Sequence, residues 1–177
     1  TGNASVLAFV NTLLTPACTL AVWFLLDHLR GRQVTAVGAA TAIIVGCVAI
    51  TPAGGFISPA WAMALGGLAA IPCWLVIQWR PRTRVDETLD VLAALVGILF
   101  IGLAANVDWN GVTDGLFYGD AAQLGEQALA AVATPAYAFG MTYVLLRLIG
   151  ALMPLRGPAR DESLGMDLIH HGEEAYP

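Results

Sequence analysis

Five long apolar stretches, parted by short polar segments, constrain this chain more than any single motif. They run from Ala4 to Leu26, Ala36 to Pro52, Pro59 to Trp79, Thr88 to Asn106 and Ala121 to Met153. A helix needs about 20 apolar residues to cross a bilayer, so each stretch reads as a membrane span. In lipid a span must satisfy its own backbone, which favours helices over open strands. The expected fold class is therefore all-α, a polytopic transmembrane helix bundle, with a polar tail over residues 154–177. The fifth stretch exceeds a bilayer's thickness, so it must tilt, kink at Pro135 or extend beyond the bilayer. Pro16 offers the first span a similar bend.

Composition agrees. Of the 177 residues, 58% are hydrophobic and 12% charged, against about 25% charged in soluble domains. The mean hydropathy is +0.72. The 19 glycines lie largely within Ala-rich apolar runs, where small residues let helices approach closely. Cys18, Cys47 and Cys73 also lie in apolar runs, in no metal or redox spacing, and read as packing residues. All eight basic residues are Arg, and none forms a nucleic-acid-binding stripe. The chain opens at Thr1 without a methionine or a basic n-region, so a signal peptide is not expected; either its start has been removed or the sequence is a fragment.

The arginines set an orientation. Arg30 and Arg32 follow the first span, Arg80, Arg82 and Arg84 the third, and Arg147, Arg156 and Arg160 end or follow the fifth. With five alternating spans these clusters share one side, while the loops 53–58 and 107–120 carry no base. The positive-inside rule makes the arginine side cytoplasmic, and with it the tail. Trp23, Trp74 and Trp79 fall near that side and Trp61 near the other, which reads as interfacial anchoring. Asp108, Asp114 and Asp120 read as a solvated outer loop. His28, beside Asp27 in an Arg-rich loop, reads as a solvated interface residue.

Two segments exceed plain membrane helix. Around Thr51, Pro52, Gly54, Gly55, Ser58 and Pro59 one helix ends and another begins, with Ser58 as N-cap and Pro59 in the first turn. These residues favour a tight hairpin; the alternative is a re-entrant backbone lining a cavity. Asp86 and Asp90 stand at the entrance of the fourth span, where acids complement the helix dipole and can pair with the preceding arginines. No Ser/His/Asp arrangement, HExxH motif or phosphate loop is present. Neither an enzyme nor a cofactor is expected. His170 and His171, adjacent on a polar tail, have no fixed ligand geometry, so no metal site is expected.

Four stretches resemble the ammonium transporter (Amt/Mep/Rh) family. Leu7-Ala8-Phe9-Val10-Asn11-Thr12 is similar to the start of its seventh helix. Gly38-Ala39-Ala40-Thr41 through Ala49-Ile50-Thr51-Pro52-Ala53-Gly54-Gly55-Phe56-Ile57-Ser58-Pro59 resembles its eighth helix and the turn into the ninth. Val85-Asp86-Glu87-Thr88-Leu89-Asp90-Val91 looks like the entrance to the tenth. Gly165-Met166-Asp167 with His171-Gly172-Glu173-Glu174-Ala175-Tyr176 resembles the cytoplasmic tail. The resemblance implies helices seven to eleven of an eleven-helix fold of two inverted repeats. It further implies a homotrimer with one pore per protomer, ammonium or ammonia as substrate, and a tail open to the nitrogen-signalling P-II protein. Gly165, Asp167, His171, Gly172, Glu173 and Tyr176 are then the regulatory positions.

One departure bears on mechanism. Where the family reads Asp-Val-Phe-Gly-Val-His-Gly, this chain reads Asp90-Val91-Leu92-Ala93-Ala94-Leu95-Val96-Gly97. Leu95 takes the place of the pore histidine and offers neither donor nor acceptor. An ion in a dry apolar pore is unstable, so a neutral permeant is favoured. The alternative function is a non-conducting relative that senses ammonium or scaffolds a regulator.

Overall fold

In a computed structural model, residues 2–79 and 90–155 are described. The elements are α1 (Asn3–Leu29), α2 (Ala36–Ala53), α3 (Pro59–Trp79), α4 (Asp90–Ala104), the short α5 (Val107–Asn110), a 3-10 turn (Leu116–Tyr118) and α6 (Ala121–Leu152). Among the described residues α1, α2, α3 and α6 are long and apolar enough to cross a membrane. Together they make the chain a multi-pass helical membrane protein.

The chain divides into two compact units, residues 1–132 and 133–177. In the first, α1 packs on both α2 and α3, and α2 packs on α4. The α1–α3 seam follows from a stripe on α1. Asn11, Thr15, Thr19, Trp23 and Asp27 recur every four residues and are all buried, because residues four apart share one helix face. Thr15 Oγ1 donates to the Ala62 carbonyl at 3.0 Å and Thr19 Oγ1 to the Gly66 carbonyl at 3.0 Å. Trp74 Nε1 donates to Asp27 Oδ1 at 2.8 Å. Each partner lies 47 residues further along the chain, so α1 and α3 run parallel in one fixed register.

Small residues make these approaches possible. A Cβ on Gly66 would collide with the Thr15 carbonyl oxygen and meet Cys18 Cβ at 3.1 Å. A Cβ on Gly97 of α4 would collide with the Ala49 carbonyl oxygen and meet Pro52 Cγ at 2.9 Å. Without a hydrophobic driving force in lipid, close packing of this kind is a main source of helix association.

Several details differ from the sequence expectation. Helix α1 runs on to Leu29, and Asp27 and His28 lie in its last turn, not in a loop. It stops where Gly31 adopts φ +65° and donates to the His28 carbonyl, a left-handed position that suits glycine. Trp23 and Trp74 are not interfacial anchors: they are 3% and 2% exposed and pack in the core, while Trp79 is exposed. Helix α4 ends at Ala104, and Asn106 turns to cap α5, its Oδ1 accepting from Asp108 N at 2.7 Å. The described α4 holds 15 residues, about 22 Å at 1.5 Å per residue, shorter than a hydrocarbon core of about 30 Å. Residues 88 and 89 of the expected fourth span lie outside the described residues.

In the second unit, every described residue from Ala133 to Leu155 is exposed. Arg147 there donates through Nε and Nη2 to Tyr143 Oη at 3.1 and 2.9 Å.

Candidate functional site

The segment between α2 and α3 is a clamped turn. Helix α2 carries Pro52 in its last turn and ends at Ala53, one residue beyond the expected bound. Gly54 caps it in the right-handed region (φ −56°), donating to the Ile50 carbonyl at 2.7 Å. A Cβ on Gly54 would meet the Ile50 carbonyl oxygen at 3.3 Å and Ala8 Cα at 3.6 Å. Gly55 has open space around it. Thr51 Oγ1 donates to the Cys47 carbonyl at 2.7 Å, one turn back. Ser58 Oγ accepts from Trp61 N at 3.5 Å, a long cap for the helix that Pro59 begins.

The turn's carbonyls are occupied from two sides. Asn11 Nδ2 donates to Gly54 O at 2.8 Å and to Ile57 O at 2.9 Å. Phe56 O accepts from Asn106 N at 3.2 Å and from Asn110 Nδ2 at 3.1 Å. Carbonyls committed in this way are not a ready cage for a cation, so the geometry matches a pinned hairpin better than a carbonyl-lined path. Asn11 Oδ1 is buried with no hydrogen-bond partner.

The loop between α4 and α6 is built rather than merely solvated. Asp114 Oδ1 accepts from Val107 N at 2.8 Å, and Asp120 Oδ1 accepts from Ala122 N at 2.9 Å at the start of α6. Trp61 stacks on Phe117 (centroids 5.2 Å) and meets Phe100 edge-on (5.9 Å). Its Nε1 donates to Tyr118 Oη at 2.9 Å. Beside this loop Asn3, Leu7, Pro59, Asp108 and Trp109 line a cavity of about 390 Å³.

Leu95 is half-buried on α4. It stands two residues, about 200° of helical turn, from Gly97, whose close approach marks the α2 seam. The structure thus sets Leu95 on a flank of α4 and away from that seam. It does not bring Leu95 together with the turn residues. Asp90 opens α4. Asp86 and the tail positions Gly165, Asp167, His171, Gly172, Glu173 and Tyr176 lie outside the described residues.

Asn11 and Asn110 hold the turn, while Thr15, Thr19 and Asp27 hold the α1–α3 seam beneath it; reading the sequence for motifs gave none of them such a role. The available signal was angular: polar residues every four positions within an apolar helix face protein, not lipid.

The Ammonium Transporter Family profile matches residues 1–176. The chain belongs to the ammonium transporter family. It is 36% identical over 176 residues to an ammonium transporter of Bacillus subtilis, covering 96% of this chain and 44% of that protein. It is 34% identical over 179 residues to ammonium transporter Amt1 of Archaeoglobus fulgidus, covering 98% of this chain and 45% of that protein. The crystal structure of Candida albicans Mep2 superposes with a TM-score of 0.81 at 30% identity, over 99% of this chain and 42% of that one. This family member therefore spans less than half the length of the relatives it matches. The family is one of membrane transporters.

Proposed function

We propose that this chain forms the C-terminal half of an ammonium-transporter protomer, supplying helices seven to eleven and the tail. In this reading all five apolar helices cross the membrane, the arginine-bearing ends face the cytoplasm, and the substrate is ammonium or ammonia. The protomer assembles as a homotrimer, and the tail meets a regulator of the P-II type. The observation that carries the reading is the position of α4 within a family member. Gly97 fixes one face of α4 against α2 and leaves Leu95 on another flank, which in this reading takes the place of the family's pore histidine.

On this flank an aliphatic side chain cannot exchange a proton or accept a hydrogen bond, so the pore favours a neutral permeant over the ion. The same substitution favours one second reading, a non-conducting member that senses ammonium.

The test is electrical. The full reading frame, or this half joined to the first half of an active relative, is reconstituted in proteoliposomes as Leu95 and as Leu95→His. The leucine form is expected to carry little ammonium current and the histidine form more, because imidazole supplies both a donor and an acceptor. Equal currents would remove Leu95 from the pore. Ammonium binding without transport in the leucine form would favour the sensor.

A further inference from the structure

The loop between α4 and α6 turns its apolar side chains outward and its polar atoms inward. Trp109, Val112, Leu116, Phe117 and Tyr118 are all exposed, Val112 at 75% and Phe117 at 55%. The backbone amides of residues 107–113, 115 and 118–120 all donate within the chain. Asn110 Oδ1 alone accepts from Val112 N at 2.6 Å and Thr113 N at 2.8 Å. Asp114 and Asp120 each spend a carboxylate oxygen on a backbone amide, of Val107 and Ala122. Water rewards the opposite arrangement, since it can pair loose amides and gains nothing from exposed aliphatic and aromatic groups.

The depth of this face follows from α3. That helix has 21 residues, about 31 Å at 1.5 Å per residue, which matches a hydrocarbon core of about 30 Å. Its first turn therefore stands at the edge of the hydrocarbon. Trp61 lies in that turn, and the loop is fastened to it: Phe117 stacks on the indole at 5.2 Å, and Tyr118 Oη accepts from Trp61 Nε1 at 2.9 Å. Asn106 N and Asn110 Nδ2 hold the loop to Phe56 O, just before α3 begins. Aromatic side chains with a polar tip favour that level of a bilayer. Lipid also suits the paired backbone, because acyl chains offer amides no partner. A protein partner suits it less: protein interfaces carry about one hydrogen bond per 100–200 Å², and most of this loop's amides are already committed.

We propose that this loop lies in the interfacial layer of the bilayer, with Trp109, Val112, Leu116 and Phe117 against lipid at the edge of the hydrocarbon. The partner is a lipid surface with neutral or zwitterionic headgroups. Residues 107–120 carry three aspartates and no base, so nothing in the loop recruits an anionic headgroup. The inference rests on α3 crossing the bilayer, as in the reading above, and on nothing about the permeant.

The experiment is spin labelling of the full reading frame in phosphatidylcholine vesicles, with Cys18, Cys47 and Cys73 replaced. A label on Val112→Cys is relaxed by oxygen, which concentrates in lipid, and by a nickel chelate, which stays in water. Oxygen is expected to dominate at Val112→Cys and collisions with the chelate to be lost. A label on Leu68→Cys, midway along α3, is expected to be closed to the chelate. Chelate access at Leu68→Cys would remove α3 from the bilayer and the proposal with it. Chelate access at Val112→Cys alone would overturn the proposal and leave the spanning helix intact. A Val112→Cys label closed to both reagents would mean that protein covers the loop, and would overturn it too. Should Val112→Cys fail to accumulate, fluorescence of the protein with its own side chains gives the same reading. Brominated phosphatidylcholine is expected to quench a share of the emission that falls in Trp109→Phe, and an unchanged share would overturn the proposal.

Discussion

Asn11 Nδ2 lies 2.8 Å from the carbonyl oxygen of Gly54, 43 residues away in the chain. With its second bond to Ile57, this one amide joins the middle of α1 to both ends of the turn between α2 and α3. It is wholly buried. The clamp belongs to the chain's own fold and requires no ligand.

Asn11→Leu should therefore destabilise the protein even though it raises hydrophobicity. It removes two hydrogen bonds and leaves the Gly54 and Ile57 carbonyls wanting donors, a cost of about 1–3 kcal/mol per unsatisfied group. Thermal unfolding of the full-length protein in detergent, followed by size exclusion, should show a clear drop in the midpoint. An unchanged midpoint would mean that the turn holds without the clamp.

Glycines should divide by what surrounds them. Gly97→Ala drives a methyl into the Ala49 carbonyl and should separate α2 from α4, with a loss of folded yield. Gly55→Ala meets nothing within 4 Å and should be nearly silent, as exposed substitutions usually are within about 0.5 kcal/mol. Comparable losses from the two would contradict the seam described for α4.

Orientation can be read by cysteine labelling after Cys18, Cys47 and Cys73 are replaced. Asp114→Cys should react with an impermeant reagent from outside the cell. Arg82→Cys and Glu173→Cys should react only once the membrane is opened. Outside labelling at Glu173→Cys would defeat a five-span arrangement with a cytoplasmic tail.

The tail carries its own test. Removing residues 165–177 should abolish capture of a P-II type regulator while leaving assembly intact. Capture that survives the deletion would leave an acidic tail with no regulatory part, which its composition also permits.

Much of the fold was legible because hydropathy follows residue type along the chain. The bounds of α2 and α3 differ from the sequence expectation by one residue at most. What escaped was angular. Trp23 and Trp74 carry the composition of interface anchors, yet each stands on the side of its helix that faces another helix; on α1 the four-residue rhythm of Asn11, Thr15, Thr19 and Asp27 betrays that side for Trp23, and α3 has no such polar rhythm to betray it for Trp74. Asp27 read as part of an Arg-rich loop because it adjoins Arg30 and Arg32; it is buried in the last turn of α1 with Trp74, 47 positions away, a distance that no local pattern spans. The turn was visible as Pro and Gly, but its fastening by Asn11 and Asn110 depends on tertiary contacts alone.

The constant offset between α1 and α3 also limits how this chain can move. Thr15, Thr19 and Asp27 engage partners at equal spacing. A small axial slide of one helix along the other would break all of these contacts together and make none. The next matching register lies four residues away, about 6 Å at 1.5 Å per residue, and it would bring the Trp23 ring against a carbonyl now served by a hydroxyl. The two helices should therefore travel as one plank. Relative movement within the first unit is then left to α2, α4 and the loop that follows α4.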